Sequence, residues 1–112
     1  MDKFKIAVDV HNAISKFCKL HGDNSVPEWN LATDEMKDIT INGVEDIING
    51  VVKSPEDSHN KWMEHKIKDG WKYGKYKNVD KKEHPSLIPY EQLSTYEKQK
   101  DKIFFDIVRF YM

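Results

Sequence analysis

A single cysteine, four prolines and five glycines are spread over 112 residues, and no apolar run approaches the roughly 18 residues of a membrane span. Each scarcity excludes something. Cys18 cannot close an internal disulfide, so a stapled secreted scaffold is ruled out and a buried, inert thiol in a reducing compartment is expected. The opening Met-Asp-Lys-Phe-Lys is followed by more charge instead of the apolar stretch of a signal peptide, which predicts a cytoplasmic protein with no membrane association. No repeat on the scale of roughly 20 to 50 residues and no low-complexity run is present. The length suits one domain, far short of the roughly 250 residues of a β/α barrel, with a core that hides only about two-thirds of the unfolded surface.

Net charge is nearly absent too, at 18 Lys plus Arg against 19 Asp plus Glu, which argues against a general nucleic-acid binder. The distribution is uneven. Residues 1–58 carry 6 lysines and 11 acids, residues 59–85 carry 8 lysines and 4 acids, and residues 86–112 balance at 4 and 4. The basic island contains lysine without arginine, so it lacks the bidentate forks that read base edges, and duplex DNA is not an expected partner.

What is present is helical periodicity. Residues Lys3 to Leu20 place Phe4, Ala7, Val8, His11, Ile14, Phe17, Cys18 and His21 at three- and four-residue spacing and stop at Gly22. A connector follows to Ala32, with Trp29 as its anchor. The second segment, about Asp34 to Val52, lines Met36, Gly43, Val44, Ile47, Ile48, Val51 and Val52 on one face; its β-branched residues also permit strand, but the 44/47/48/51 spacing favours helix. Gly43 marks a close helix approach. Ser54-Pro55-Glu56-Asp57 reads as N-cap, proline at the first helical position and acids at the positive helix end, starting a third helix that carries Trp62, Met63 and Ile67 inward and stops at Gly70. Residues 71–93 are too apolar for a tether and predict an ordered loop lying on the body. Ser94 with Glu97 is a capping box opening a last helix with a stripe of Tyr96, Ile103, Phe104, Ile107, Val108 and Tyr111. The expected fold is all-α: a small antiparallel bundle of about four helices, with the 71–93 loop wrapped over it.

The information is concentrated between His59 and Asp101. In order come His59-Asn-Lys-Trp62, Gly70-Trp71-Lys-Tyr73-Gly74, Lys82-Glu-His84-Pro85, Pro89-Tyr90-Glu-Gln-Leu93, then Glu97-Lys98 and Lys100-Asp101. This series resembles the RyR domain, the repeat of ryanodine-receptor calcium channels that also occurs as a stand-alone domain in bacterial and phage proteins. The resemblance covers residues 54–108 well and 26–53 loosely; the first helix, up to about residue 25, has no counterpart. It implies a small helical unit whose connecting loop wraps over the helices. In the channels the repeats come in pairs that take up adenine nucleotide and aromatic small molecules at the helix tryptophan, and the prokaryotic versions are proposed to sense nucleotide-derived signals. His59 and Trp62 occupy the matching positions. One full motif set is present in the chain, which leaves open whether a second copy supplies the missing repeat in a homodimer.

The residues themselves carry two readings. His59, Trp62 and Lys66 share one helix stripe, an imidazole, an indole and an ammonium suited to stacking on a purine and meeting phosphate; Trp71, Tyr73, Lys82, His84 and Tyr90 from the loop would close the other side. The structural alternative makes Trp62 and Trp71 core, Gly70 and Gly74 backbone positions of positive φ, His84 a pin for the loop, and lysines 72, 75, 77, 81 and 82 a solvated surface. Whether Trp62 stands half exposed beside a concavity or is enclosed by Ile67, Trp71 and Tyr90 separates them. Nucleophile-elbow, His-Glu-x-x-His and Cys-x-x-Cys templates are missing, and His59 and His65 are awkwardly spaced for one metal, so neither an enzyme, a metal site nor a cofactor is expected. The sequence thus favours noncatalytic recognition of a small nucleotide-related molecule, with a structural or protein–protein interaction module as the alternative.

Overall fold

The computed structural model describes residues 2–112. Among them are four α-helices, α1 (Lys3–Leu20), α2 (Asp34–Ile48), α3 (Pro55–Lys68) and α4 (Thr95–Tyr111), and two short strands, β1 (Lys72–Tyr73) and β2 (Glu83–His84), with 3-10 turns at Trp29–Leu31 and Tyr90–Gln92. The class is the expected mainly helical one. No helix among the described residues is long and apolar enough to cross a membrane.

Helix starts follow from single side chains. Asp2, Thr33, Ser54 and Ser94 each occupy an N-cap and accept from an amide of the first turn, as where Asp57 N donates to Ser54 Oγ at 3.1 Å and Glu97 N to Ser94 Oγ at 3.2 Å. The Glu97 carboxylate turns to Lys100, 3.1 Å away, in an ion pair along the helix. The first three helices end alike, with the amides of Asp23, Val51 and Trp71 each donating at 2.9 Å to the carbonyls of Cys18, Asp46 and Lys66 in Schellman turns. After α3 that turn needs φ = +92° at Gly70, the left-handed region that glycine enters without strain. The same turn stops α2 at Ile48, four residues before the periodicity predicts. Val52 still reaches the core, whereas Val51 rotates outward and is 53% exposed.

The core lies where α1 packs against both α2 and α4, and consists of Ile6, Ala7, Val10, Val44, Ile47 and Val108, with Trp29 and Val52 closing its edge. Gly43 sits at the α2–α4 crossing, where an added Cβ would lie 2.8 Å from Phe104 Cζ; the expected close approach is real, and Phe104 fills the space. Cys18 is buried and free. The connector is tied down by a polar row on α1: His11 Nε2–H donates to Pro27 O at 2.7 Å, Ser15 Oγ donates to Val26 O at 2.7 Å, and Asn12 Oδ1 accepts from Trp29 N at 2.9 Å. Buried His11 is therefore a tether, while His21, read as part of the apolar stripe, is exposed on the last turn.

The loop between α3 and α4 is ordered, as its apolar content predicts, and contains a parallel strand pair that periodicity does not reveal. Lys72 pairs with Glu83 and Tyr73 with His84, so two residues of ladder join the ends of a short excursion. Gly74 does not adopt positive φ; it is needed because a Cβ there would collide with the Glu83 side chain at 2.5 Å. The left-handed position is Lys82, at φ 53°. Tyr73 (57% exposed) and Tyr76 (73%) point to solvent instead of lying on the body, and Ile67, expected inward from α3, is 60% exposed. The Ile67 departure has a cause: α4 and β2 cover the His59–Trp62 stripe of α3, which leaves Ile67 on an uncovered flank.

Candidate functional site

The α3 stripe is the best-covered surface of that helix. His59 is 3% exposed; its Nε2–H donates to the carbonyl of Ile88 at 2.8 Å, which fixes the tautomer and leaves Nδ1 facing Asp101 Oδ2 of α4 at 3.8 Å. Its ring stacks on Trp62, with centroids 5.6 Å apart and planes 28° from parallel. His84 of β2 meets Trp62 edge-on at 5.0 Å, and its Nδ1 accepts from Ser86 N at 3.0 Å. That bond requires the neutral ring. Burial, and after it the nearby lysines 77, 66 and 100, lowers the His84 pKa to about 4. His84 thus pins the loop, in accord with the structural alternative.

Asp101 is shifted the other way. Burial raises its carboxyl to about 7, assisted by the negative charge of Glu97 and opposed by Lys100. Around neutral pH the His59–Asp101 contact therefore contains a carboxyl close to its midpoint beside an imidazole with one nitrogen already committed.

Trp62 is half-buried and forms part of the wall between two clefts, together with Asp101 and Phe104. The larger, about 220 Å³, is lined on its far side by Ile14 of α1, His59, His84, Ser86, Glu97 and Lys100. The smaller, about 160 Å³, lies between α2, α3 and α4, over Ile39, Gly43 and Val52, with Asn42, Asp46, Lys61 and His65 around it. Ile67 does not enclose the indole. Tyr90 lies behind His59, 6.1 Å from its ring, with Lys98 Nζ above the phenol at 5.5 Å.

The expected residues are brought together in part. His59, Trp62 and His84 line one cleft, with Tyr90 behind. Lys66 does not face it: its ammonium sits 4.5 Å over the Trp71 ring and 3.5 Å from Glu35 of α2. Trp71 is buried beneath that ammonium. Lys82 Nζ donates to the Asp69 carbonyl at 2.8 Å, and Tyr73 projects into solvent, so these two stand apart from the clefts. Sequence reasoning missed Asp101, Lys100 and Phe104 as site residues. A signal existed for Asp101: with Phe104 and Val108 three and seven residues further on, it is a carboxylate on the inward stripe of α4. Among the described residues, no group of three or more His, Cys, Asp or Glu side chains is placed to share a metal ion.

The architecture defines a small, mainly helical domain with an aromatic–imidazole stripe covered by a wrapping loop. The family model for the RyR domain matches residues 35–110, about two-thirds of the chain, and the protein belongs to the RyR domain family. The match takes in almost all of α2, α3, the loop and almost all of α4. Helix α1 precedes it, although it supplies Ile6, Ala7 and Val10 to the core and Ile14 to the larger cleft.

Proposed function

We propose that this RyR-domain protein acts by noncatalytic recognition of a small nucleotide-related molecule at Trp62, in the cytoplasm. The observation that carries the reading is the placement of Trp62: a half-buried indole between two concavities, with imidazoles on one side, offers a stacking surface that a sealed core tryptophan lacks. His59 and His84 hold the indole in place, and family membership supports assigning the role to His59 and Trp62. Lys66 and Lys82 already have partners, Glu35 and the Asp69 carbonyl, so no phosphate contact is assigned to them.

The test is thermal unfolding of the full chain against adenine nucleotides, ADP-ribose, NAD and cyclic dinucleotides. A ligand at about 100 times its Kd adds about 2.7 kcal/mol, enough to raise the midpoint by roughly 10 °C in a domain of this size. Such a shift, lost in a folded Trp62→Leu variant, supports recognition; no shift with any of these compounds, together with no binding of the free nucleosides, overturns it.

One observation favours the second reading, a protein-interaction module. Tyr73, Tyr76 and Val79 are exposed together in the loop beside Lys72, Lys75, Lys77 and Lys81. Under that reading the loop docks a partner or a second copy of the chain, and concentration-dependent mass by light scattering, lost in Tyr73→Ser/Tyr76→Ser, tests the homodimer.

A further inference from the structure

We propose that the smaller cleft, between α2, α3 and α4, receives one planar N–H-bearing ring without phosphate, of the nucleobase or nucleoside type, and that Asn42 and Asp46 read its edge. The inference rests on the recognition reading above and assigns it a cleft and a ligand class.

The first argument concerns the two sides of the indole. On the larger cleft His59 stacks on Trp62 and His84 abuts it, so that side is already occupied by protein rings. Neither imidazole lines the smaller cleft, where Trp62 stands over an apolar floor of Ile39, Val52 and Phe104. Gly43 lets Phe104 come up against the α2 backbone there, so the floor is formed by a ring edge where a side chain from α2 would otherwise stand.

The second argument concerns hydrogen-bonding capacity. Asn42 and Asp46 are four apart on α2 and therefore on one face, next to that floor. Among the described residues, neither side chain takes part in a hydrogen bond or ion pair with another side chain. A carboxylate and an amide carbonyl side by side accept from ring N–H and exocyclic amino groups, as base edges present them.

Charge and size then decide against phosphate. Lys61 is the lysine lining this cleft, and its ammonium lies 3.9 Å from Glu64, while Asp46 contributes negative charge. In the larger cleft Lys100 is paired with Glu97 at 3.1 Å. A di- or triphosphate would meet the Asp46 carboxylate with no uncommitted lysine to offset it. The volume of about 160 Å³ is also below the roughly 300 Å³ at which drug-sized pockets begin, and suits one ring.

The experiment titrates the ¹⁵N-labelled full chain with adenosine, guanosine, cytidine and uridine, and with the four corresponding 5′-monophosphates, following backbone amides. At least one nucleoside is expected to shift the Asn42, Gly43 and Asp46 signals and to bind at least tenfold more tightly than its monophosphate. Asp46→Asn is expected to weaken that nucleoside severalfold at an unchanged melting temperature, and Asp46→Lys to reverse the preference toward the monophosphate. Tighter binding of the monophosphate by the wild type, or shifts confined to Ser86 and Lys100, overturns the inference while leaving recognition at Trp62 standing. No shift with any of the eight compounds overturns the inference, and with a silent nucleotide panel the recognition reading falls too.

Discussion

The two halves of this domain are held together by different physics. Where α1, α2 and α4 meet, the enclosed side chains are aliphatic, with Ile6, Val10, Val44, Ile47 and Val108 all nearly inaccessible, and the energy is the non-directional burial of apolar surface. Where α3 meets the loop and α4, the enclosed side chains are His59, Trp71 and Ser86 beside one aliphatic, Leu93, and the contacts include single hydrogen bonds, ring edges and ammonium–indole pairs. The aliphatic side chains of the first half carry no titratable group; the second half contains a carboxyl and an imidazole shifted in opposite directions. Apolar packing fixes the fold, and the directional half is left with concavities and chemistry.

The sharpest way to break that contrast is to remove bulk from the aliphatic half. Ile47→Ala is expected to destabilise by about 3 kcal/mol through lost burial plus a residual cavity, measured as a lower urea midpoint at an unchanged m-value. His59→Ala is expected to cost about 2 kcal/mol, because the Ile88 carbonyl loses its donor inside the protein. If both variants lost the same stability with the same pH profile, the two halves would not differ as described.

The pH experiment sharpens the difference further. The Asp101 carboxyl titrates near 7 folded and near 3.8 unfolded, so between those values the folded state holds the extra proton and stability falls as pH rises. His84 titrates near 4 folded and near 6.5 unfolded, so in almost the same window the unfolded state holds the extra proton and stability rises with pH. The slopes oppose, each at most about 1.4 kcal/mol per pH unit. Between pH 4.5 and 6.5 the wild type should therefore be flatter than either variant: Asp101→Asn becomes less stable relative to it on acidification, and His84→Gln more stable. Urea midpoints at three pH values check this, and Ile47→Ala should keep the wild-type profile. The smallest effect is expected at the tip of the loop, where Tyr76→Ser should change stability by less than about 0.5 kcal/mol, since the ring is exposed.

Much of the fold was legible because its signals are local. Lys3–Leu20 was readable from end to end by periodicity and a glycine stop, and Ser54-Pro55 and Ser94 placed two helix starts, since an N-cap needs only its own side chain and an amide two or three residues on. The α2 end was less legible, because Val51 and Val52 continue the apolar pattern beyond the Schellman turn that ends the helix. The candidate site was legible in type and only partly in membership. His59 and Trp62 were visible as a helix stripe, but Lys66 was assigned to a ligand because Glu35 and Trp71, its actual partners, lie on α2 and past the α3 turn.

By itself, then, the sequence determined four helices, their caps, a buried lone cysteine and membership of the RyR domain family, all of which follow from spacing along the chain. Tertiary structure alone decided that Asp101 faces His59 across two helices, that residues 72–73 and 83–84 form a parallel pair, and that Trp62 divides two clefts. The physical reason is range. Caps and helix faces are set by neighbours within a turn, whereas a cleft and a shifted pKa depend on which distant side chains exclude water from the same place.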